Sequence, residues 1–163
     1  MLHDLISGRI RVSPPLNAAE RQFLDEVCDS GRTLRGTPTG RGDPGVPFAR
    51  LAWRSCEGGC CLRWDGAGAS RDLAPSLRFV VDHLLRPGAR AAGHRRFPDF
   101  TCDHVLGGVV VVQRYDDPRP RVVRVQDNDV VELEVEASCG RSGPQRAPRA
   151  WPANVVALRP RRA

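Results

Sequence analysis

The chain has 163 residues, 40% of them hydrophobic, which is enough for one globular domain with a core and excludes a wholly disordered polymer. All 25 basic residues are arginine, against 19 acids, but residues 1–136 hold 19 of each sign and residues 137–163 hold six arginines and no acid. The formal +6 therefore belongs to the tail, which excludes a strongly basic folded surface of the kind that coats nucleic acid.

Arginine without lysine, alongside abundant Ala, Gly, Pro and Val, is the signature of GC-rich codons, so an arginine alone is weak evidence for a phosphate ligand. No stretch approaches transmembrane length, and the start Met1-Leu2-His3-Asp4-Leu5-Ile6 lacks a basic leader. A cytoplasmic protein with no membrane partner is expected, with its six cysteines held as thiols or metal ligands.

In chain order, Gly8–Ser13 alternates Arg9 and Arg11 with Ile10 and Val12, the period of a half-buried strand that Pro14-Pro15 stops. Asn17 and Glu20 form a capping box for a first helix carrying Phe23, Leu24, Val27 and Cys28 at helical spacing up to Gly31. Residues 31–48, rich in Gly and Pro, read as a mobile loop. Two short strands between Arg50 and Trp64 flank a turn at Glu57-Gly58-Gly59, and a Gly-rich loop runs from Asp65 to Ser70. A second helix follows, capped by Asp72 or Ser76 and stopped by Pro87-Gly88, with Leu77, Val80, Val81, Leu84 and Leu85 as one apolar stripe.

Strands are then expected at 99–106, 109–114, 121–126 and 130–136, joined by turns at Gly107-Gly108, Asp116-Asp117-Pro118 and Asp127-Asn128-Asp129. In the last strand Val131, Leu133 and Val135 face one way, toward the core, and Glu132, Glu134 and Glu136 the other. The fold class is α+β, an antiparallel meander sheet packed by about two helices over residues 1–136, with a disordered basic tail at 137–163.

The pieces Trp64-Asp65-Gly66, Asp82-His83-Leu84-Leu85-Arg86-Pro87-Gly88, Phe97-Pro98-Asp99-Phe100-Thr101-Cys102-Asp103-His104, Gly107-Gly108-Val109-Val110 and Asp127-Asn128-Asp129-Val130 together resemble a group of small uncharacterised actinobacterial and actinophage proteins. The resemblance implies a module built from the second helix and the late strands. It implies no activity and transfers no catalytic residue.

Among the candidate ligands Cys56, Cys60, Cys61, His83, His94, Cys102 and His104, a zinc site is best assembled from Cys56 and Cys60 across the hairpin and Cys102 and His104 on one strand face. Against it stands the use of cysteine as a small buried hydrophobe. A nucleophilic Cys102–His104 pair is disfavoured because Phe100 and Leu106 share its face and Asp103 points away. Asp99, Asp103 and the turn Asp127-Asn128-Asp129 could offer oxygen ligands to a divalent cation, but the turn lacks the Gly and distal Glu of a calcium loop and is explained by turn chemistry, so structural roles are expected. No catalytic set emerges, and no cofactor other than zinc is suggested.

The leading expectation is a non-enzymatic module that binds a protein partner through Trp53 or Trp64. The alternatives are sequence-independent nucleic-acid association through Arg141, Arg146, Arg149, Arg159, Arg161 and Arg162, and a zinc-binding or thiol-dependent enzyme. Arg9 and Arg11 are expected to pair with acids.

Overall fold

The computed structural model describes residues 4–29, 51–66, 68–117 and 119–135. The loop at 31–48 and the tail at 137–163, with its six arginines, lie outside the described residues. Alternating polarity from Leu5 produces strand β1 (Leu5–Ser13), and the capping box then starts α1 (Ala18–Asp29). The Asn17 side chain accepts the Glu20 N–H at 3.0 Å while the Glu20 carboxylate accepts the Asn17 N–H at 2.8 Å, so two otherwise orphaned donors are satisfied reciprocally.

The hairpin of β2 (Trp53–Ser55) and β3 (Cys61–Trp64) is followed by a 3-10 turn that leads into α2 (Leu73–Val80). The expected Asp72 cap makes no side-chain bond. Ser76 instead donates inside the helix to the Leu73 carbonyl. The helix widens into a π turn at Val81–Leu85, where the Arg86 N–H reaches back five residues to the Val81 carbonyl at 3.1 Å. The whole stripe from Leu77 to Leu85 is buried, each large side chain contributing roughly 1.5–3 kcal/mol of apolar transfer.

The late part of the chain supplies β4 (Val105–Gln113), β5 (Arg121–Gln126) and β6 (Asp129–Glu134). One six-stranded antiparallel sheet results, in the order β2-β3-β1-β4-β5-β6, so β4 to β6 form a meander and β1 is inserted between β3 and β4. Helix and sheet residues share one buried cluster, an α+β architecture.

Three sequence expectations are corrected. Gly107-Gly108 is no hairpin, because β4 runs straight through it while pairing with β1 along nine residues. Residues 99–104 are loop rather than strand, tied down by the His104 N–H donating to the Leu85 carbonyl. The faces of β6 are also reversed. Val130 is the buried residue, level with Val125, whereas Leu133 and Val135 are 42% and 41% exposed on the open face. Cross-strand pairing gives the reason: Val123 and Val125 already face the core, so their partners Glu132 and Val130 share that side, and Glu132 pairs with the Arg121 guanidinium at the rim.

Candidate functional site

The β2–β3 turn gathers three thiols. Its backbone is closed by the Cys56 N–H donating to the Cys61 carbonyl and the Gly59 N–H donating to the Cys56 carbonyl, both at 2.9 Å. It is also braced from outside, because the Val12 and Leu16 N–H groups donate to Cys60 and Gly59, and the Arg21 guanidinium donates to Glu57. Gly59 is required there. Its φ is +69° and an added Cβ would lie 2.4 Å from the Leu16 carbonyl oxygen, closer than real Cβ atoms come.

Within this frame the sulfur atoms of Cys56, Cys60 and Cys61 all lie within 4.8 Å of one another, and Cys56 and Cys60 are 3.5 Å apart. A tetrahedral zinc with Zn–S bonds of about 2.3 Å needs sulfurs about 3.8 Å apart, so small side-chain rotations would seat an ion. The turn is also electrostatically graded. The Cys61 thiol, followed by the Cys60 thiol and the N–H groups of Cys61 and Cys60, holds the Cys56 thiol down to about 6 against the opposing effect of burial. Burial pushes Cys61 up, reinforced by its bond to Cys56 and the charge of its neighbours. Cys56 is half-buried, Cys60 exposed and Cys61 buried, so the cluster opens to solvent on the Cys60 side.

That side borders a concavity of about 340 Å³ lined by Arg9, Arg11, Cys60, Cys61, Gly107 and Gly108. The register explains it. Cys61 is level with Arg11, which is level with Gly107, so all three occupy one row on the face opposite Ile10 and Leu62. Gly107 leaves its place in that row empty. Contrary to expectation, neither Arg9 nor Arg11 has an ion pair among the described residues.

The other residues singled out in the sequence fall elsewhere. Cys102 and His104 do not join the thiol turn. Cys102, at φ 47°, donates to the Leu84 carbonyl at 3.4 Å, and burial, then the charges of Glu20 and Asp103, push its thiol up, away from reactivity. The His104 Nδ1–H donates to the Pro14 carbonyl at 2.7 Å, while Nε2 lies 3.1 Å from Glu20 Oε2 and 3.0 Å from Thr101 Oγ1. Asp103 is 3.9 Å from His104 rather than on an opposite strand face, but it is an exposed neighbour. The Glu20 carboxylate also accepts the Thr101 N–H at 2.9 Å, so this is a saturated structural network joining α1 to the loop before β4.

Trp53 is fully buried, donating from Nε1 to Ser76 Oγ at 3.0 Å, and half-buried Trp64 packs edge-on against it. Trp53 is a core anchor with no exposed surface to offer a partner, whereas Trp64 keeps part of its ring exposed at a concavity with Asp4, Leu5 and Ile6. Asn128, at φ 71°, binds the backbone of both His104 and Leu106 through its side chain, so its motif is explained by docking. Cys61 is among the candidate ligands but not in the set chosen from sequence, and the Arg9–Arg11–Gly107 concavity is not apparent there. The adjacent Cys60-Cys61 letters hinted at the first, and only the β1–β4 register produces the second. Comparison with protein-family models, with curated proteins and with solved structures returns no match to this chain.

Proposed function

We propose that this protein is a metal-binding module that holds one zinc ion on the thiolates of Cys56, Cys60 and Cys61. The observation that carries the reading is the convergence of three sulfurs within 4.8 Å on a braced turn. Thiolate sulfur selects zinc and other soft ions over magnesium or calcium, and three protein ligands leave a fourth position for an exchangeable one. The exposed member of the set, Cys60, borders the arginine-lined concavity, so an exchangeable ligand could enter from that side. No His, Asp or Glu joins the three thiols in the cluster among the described residues, which supports metal binding as the role of the zinc-loaded turn.

The test is a zinc titration of the reduced full-length protein against a chromophoric chelator, with cobalt substitution to report thiolate coordination. One ion per chain is expected. Cys60→Ser and Cys61→Ser should each weaken it by more than the roughly 10–100-fold that outer-sphere partners cost, and Cys102→Ser should change nothing. Equal zinc affinity in wild type and both turn variants would end the proposal.

A second reading, an interaction module with a protein partner, is supported by the open sheet face rather than by the tryptophans. Val109 and Leu133 are 44% and 42% exposed there, with Val111, Val122 and Val131 half-buried between them. A partner that co-purifies with the native chain, but is lost from a Val109→Lys, Leu133→Lys variant of unchanged melting temperature, supports it. Equal recovery with both proteins sinks it.

A further inference from the structure

In the metal-free, reduced chain the concavity beside Cys60 sets two arginines and an open floor against two of the same thiols. Two guanidinium groups that have no ion pair among the described residues sit on one strand face, so an anion held there displaces no salt bridge among those residues. An exposed thiol lies at its edge, with a second thiol 3.5 Å behind it. The floor is open because Gly107 has no side chain at the end of a row that runs Cys61, Arg11, Gly107 across the three strands. An added Cβ on Gly107 would come no closer than 3.8 Å to any neighbour, so the space is available without being structurally required.

We propose that this concavity binds a carboxylate-bearing low-molecular-weight disulfide, and that the Cys60–Cys56 pair reduces it by thiol–disulfide exchange. Arg9 and Arg11 hold the carboxylates, placing the substrate's S–S bond at Cys60. The Cys60 thiolate attacks one substrate sulfur, the S–S bond breaks, and the first small thiolate leaves and takes up a proton from solvent. A mixed disulfide on Cys60 remains. The Cys56 thiolate then attacks the Cys60 sulfur, and the second small thiolate leaves and is protonated. The protein loses two electrons as the Cys56–Cys60 disulfide forms, and the substrate gains them as two thiols. Excess small thiol reverses both steps and restores the protein. The approach from 3.5 Å to a bond of about 2.05 Å is a side-chain movement within one turn.

The reaction needs no metal, so it is tested on chelator-treated, reduced full-length protein, where failure leaves the zinc reading untouched, and failure of the zinc titration leaves this one untouched. The probes are oxidised glutathione, which carries carboxylates, and neutral hydroxyethyl disulfide. Two small thiols should be released per chain, with peptide mapping placing the new disulfide between Cys56 and Cys60. Cys56→Ser should halt the reaction after one thiol, with the adduct on Cys60. In Arg9→Gln, Arg11→Gln the glutathione rate should fall about tenfold, with little change for the neutral disulfide. Gly107→Val, which fills the floor, should slow glutathione likewise. If the arginine variant slows both disulfides equally or neither, the anionic substrate class is wrong. If the mapped disulfide does not join Cys56 and Cys60, the exchange itself is wrong.

Discussion

Glu20 shows how one side chain can serve two levels of structure. Burial works to raise the pKa of its carboxyl, yet the N–H groups of Thr101 and Asn17 and the His104 ring outweigh this, and the pKa ends below the ordinary 4.5. A group ionised more readily in the folded chain than in the unfolded one stabilises the fold at pH values above its unfolded range. That contribution is lost as pH falls through the lower folded value. Urea midpoints measured from about pH 6 down to pH 3 should therefore decline below about 4.5 in the native chain, and the decline should be shallower in Glu20→Gln. At neutral pH Glu20→Ala removes the helix cap and the partner of buried His104 together, for a loss of about 3–5 kcal/mol. An Ala variant as stable as the native chain would show that the network is incidental.

Elements were legible where a local pattern had a single solution. The Asn17–Glu20 box and the Leu77–Leu85 stripe lie within one helix each, and both appear where their letters put them. Patterns that needed a neighbour misled. Val131, Leu133 and Val135 look like a core face until β5 is placed beside them, and Gly107-Gly108 looks like a turn until β1 is. Nothing local in Arg9, Arg11 or Gly107 reports that they adjoin Cys60, because the register that joins them spans about a hundred residues. Gly108 is explained by this same crossing. At φ +149° an added Cβ would lie 2.6 Å from the Arg9 carbonyl oxygen, so the glycine is what lets β1 and β4 approach. Gly108→Ala should cost about 2–3 kcal/mol, read as a lower urea midpoint at unchanged slope, whereas Gly107→Ala should be nearly neutral.

At the scale of the whole chain, charge is divided: residues 1–136 are balanced and all six unbalanced arginines follow. Any affinity for DNA at low salt should therefore fall sharply in a chain ending at Glu136, together with the salt slope of about 0.9 per phosphate contact. Equal binding by the two chains would assign the effect to the folded surface, where Arg9 and Arg11 carry no ion pair among the described residues. The topology bears in a different way on how the molecule is made. β1 is synthesised first but is an interior strand, and its neighbours are β3 near residue 61 and β4 out to residue 113. During translation the edge of β1 that faces β4 stays open until residue 113 has left the ribosome, and closing so distant a pairing is slow. A nascent chain arrested before β4 therefore presents a bare strand to its neighbours, which makes the pace of synthesis through residues 65–105 a determinant of yield.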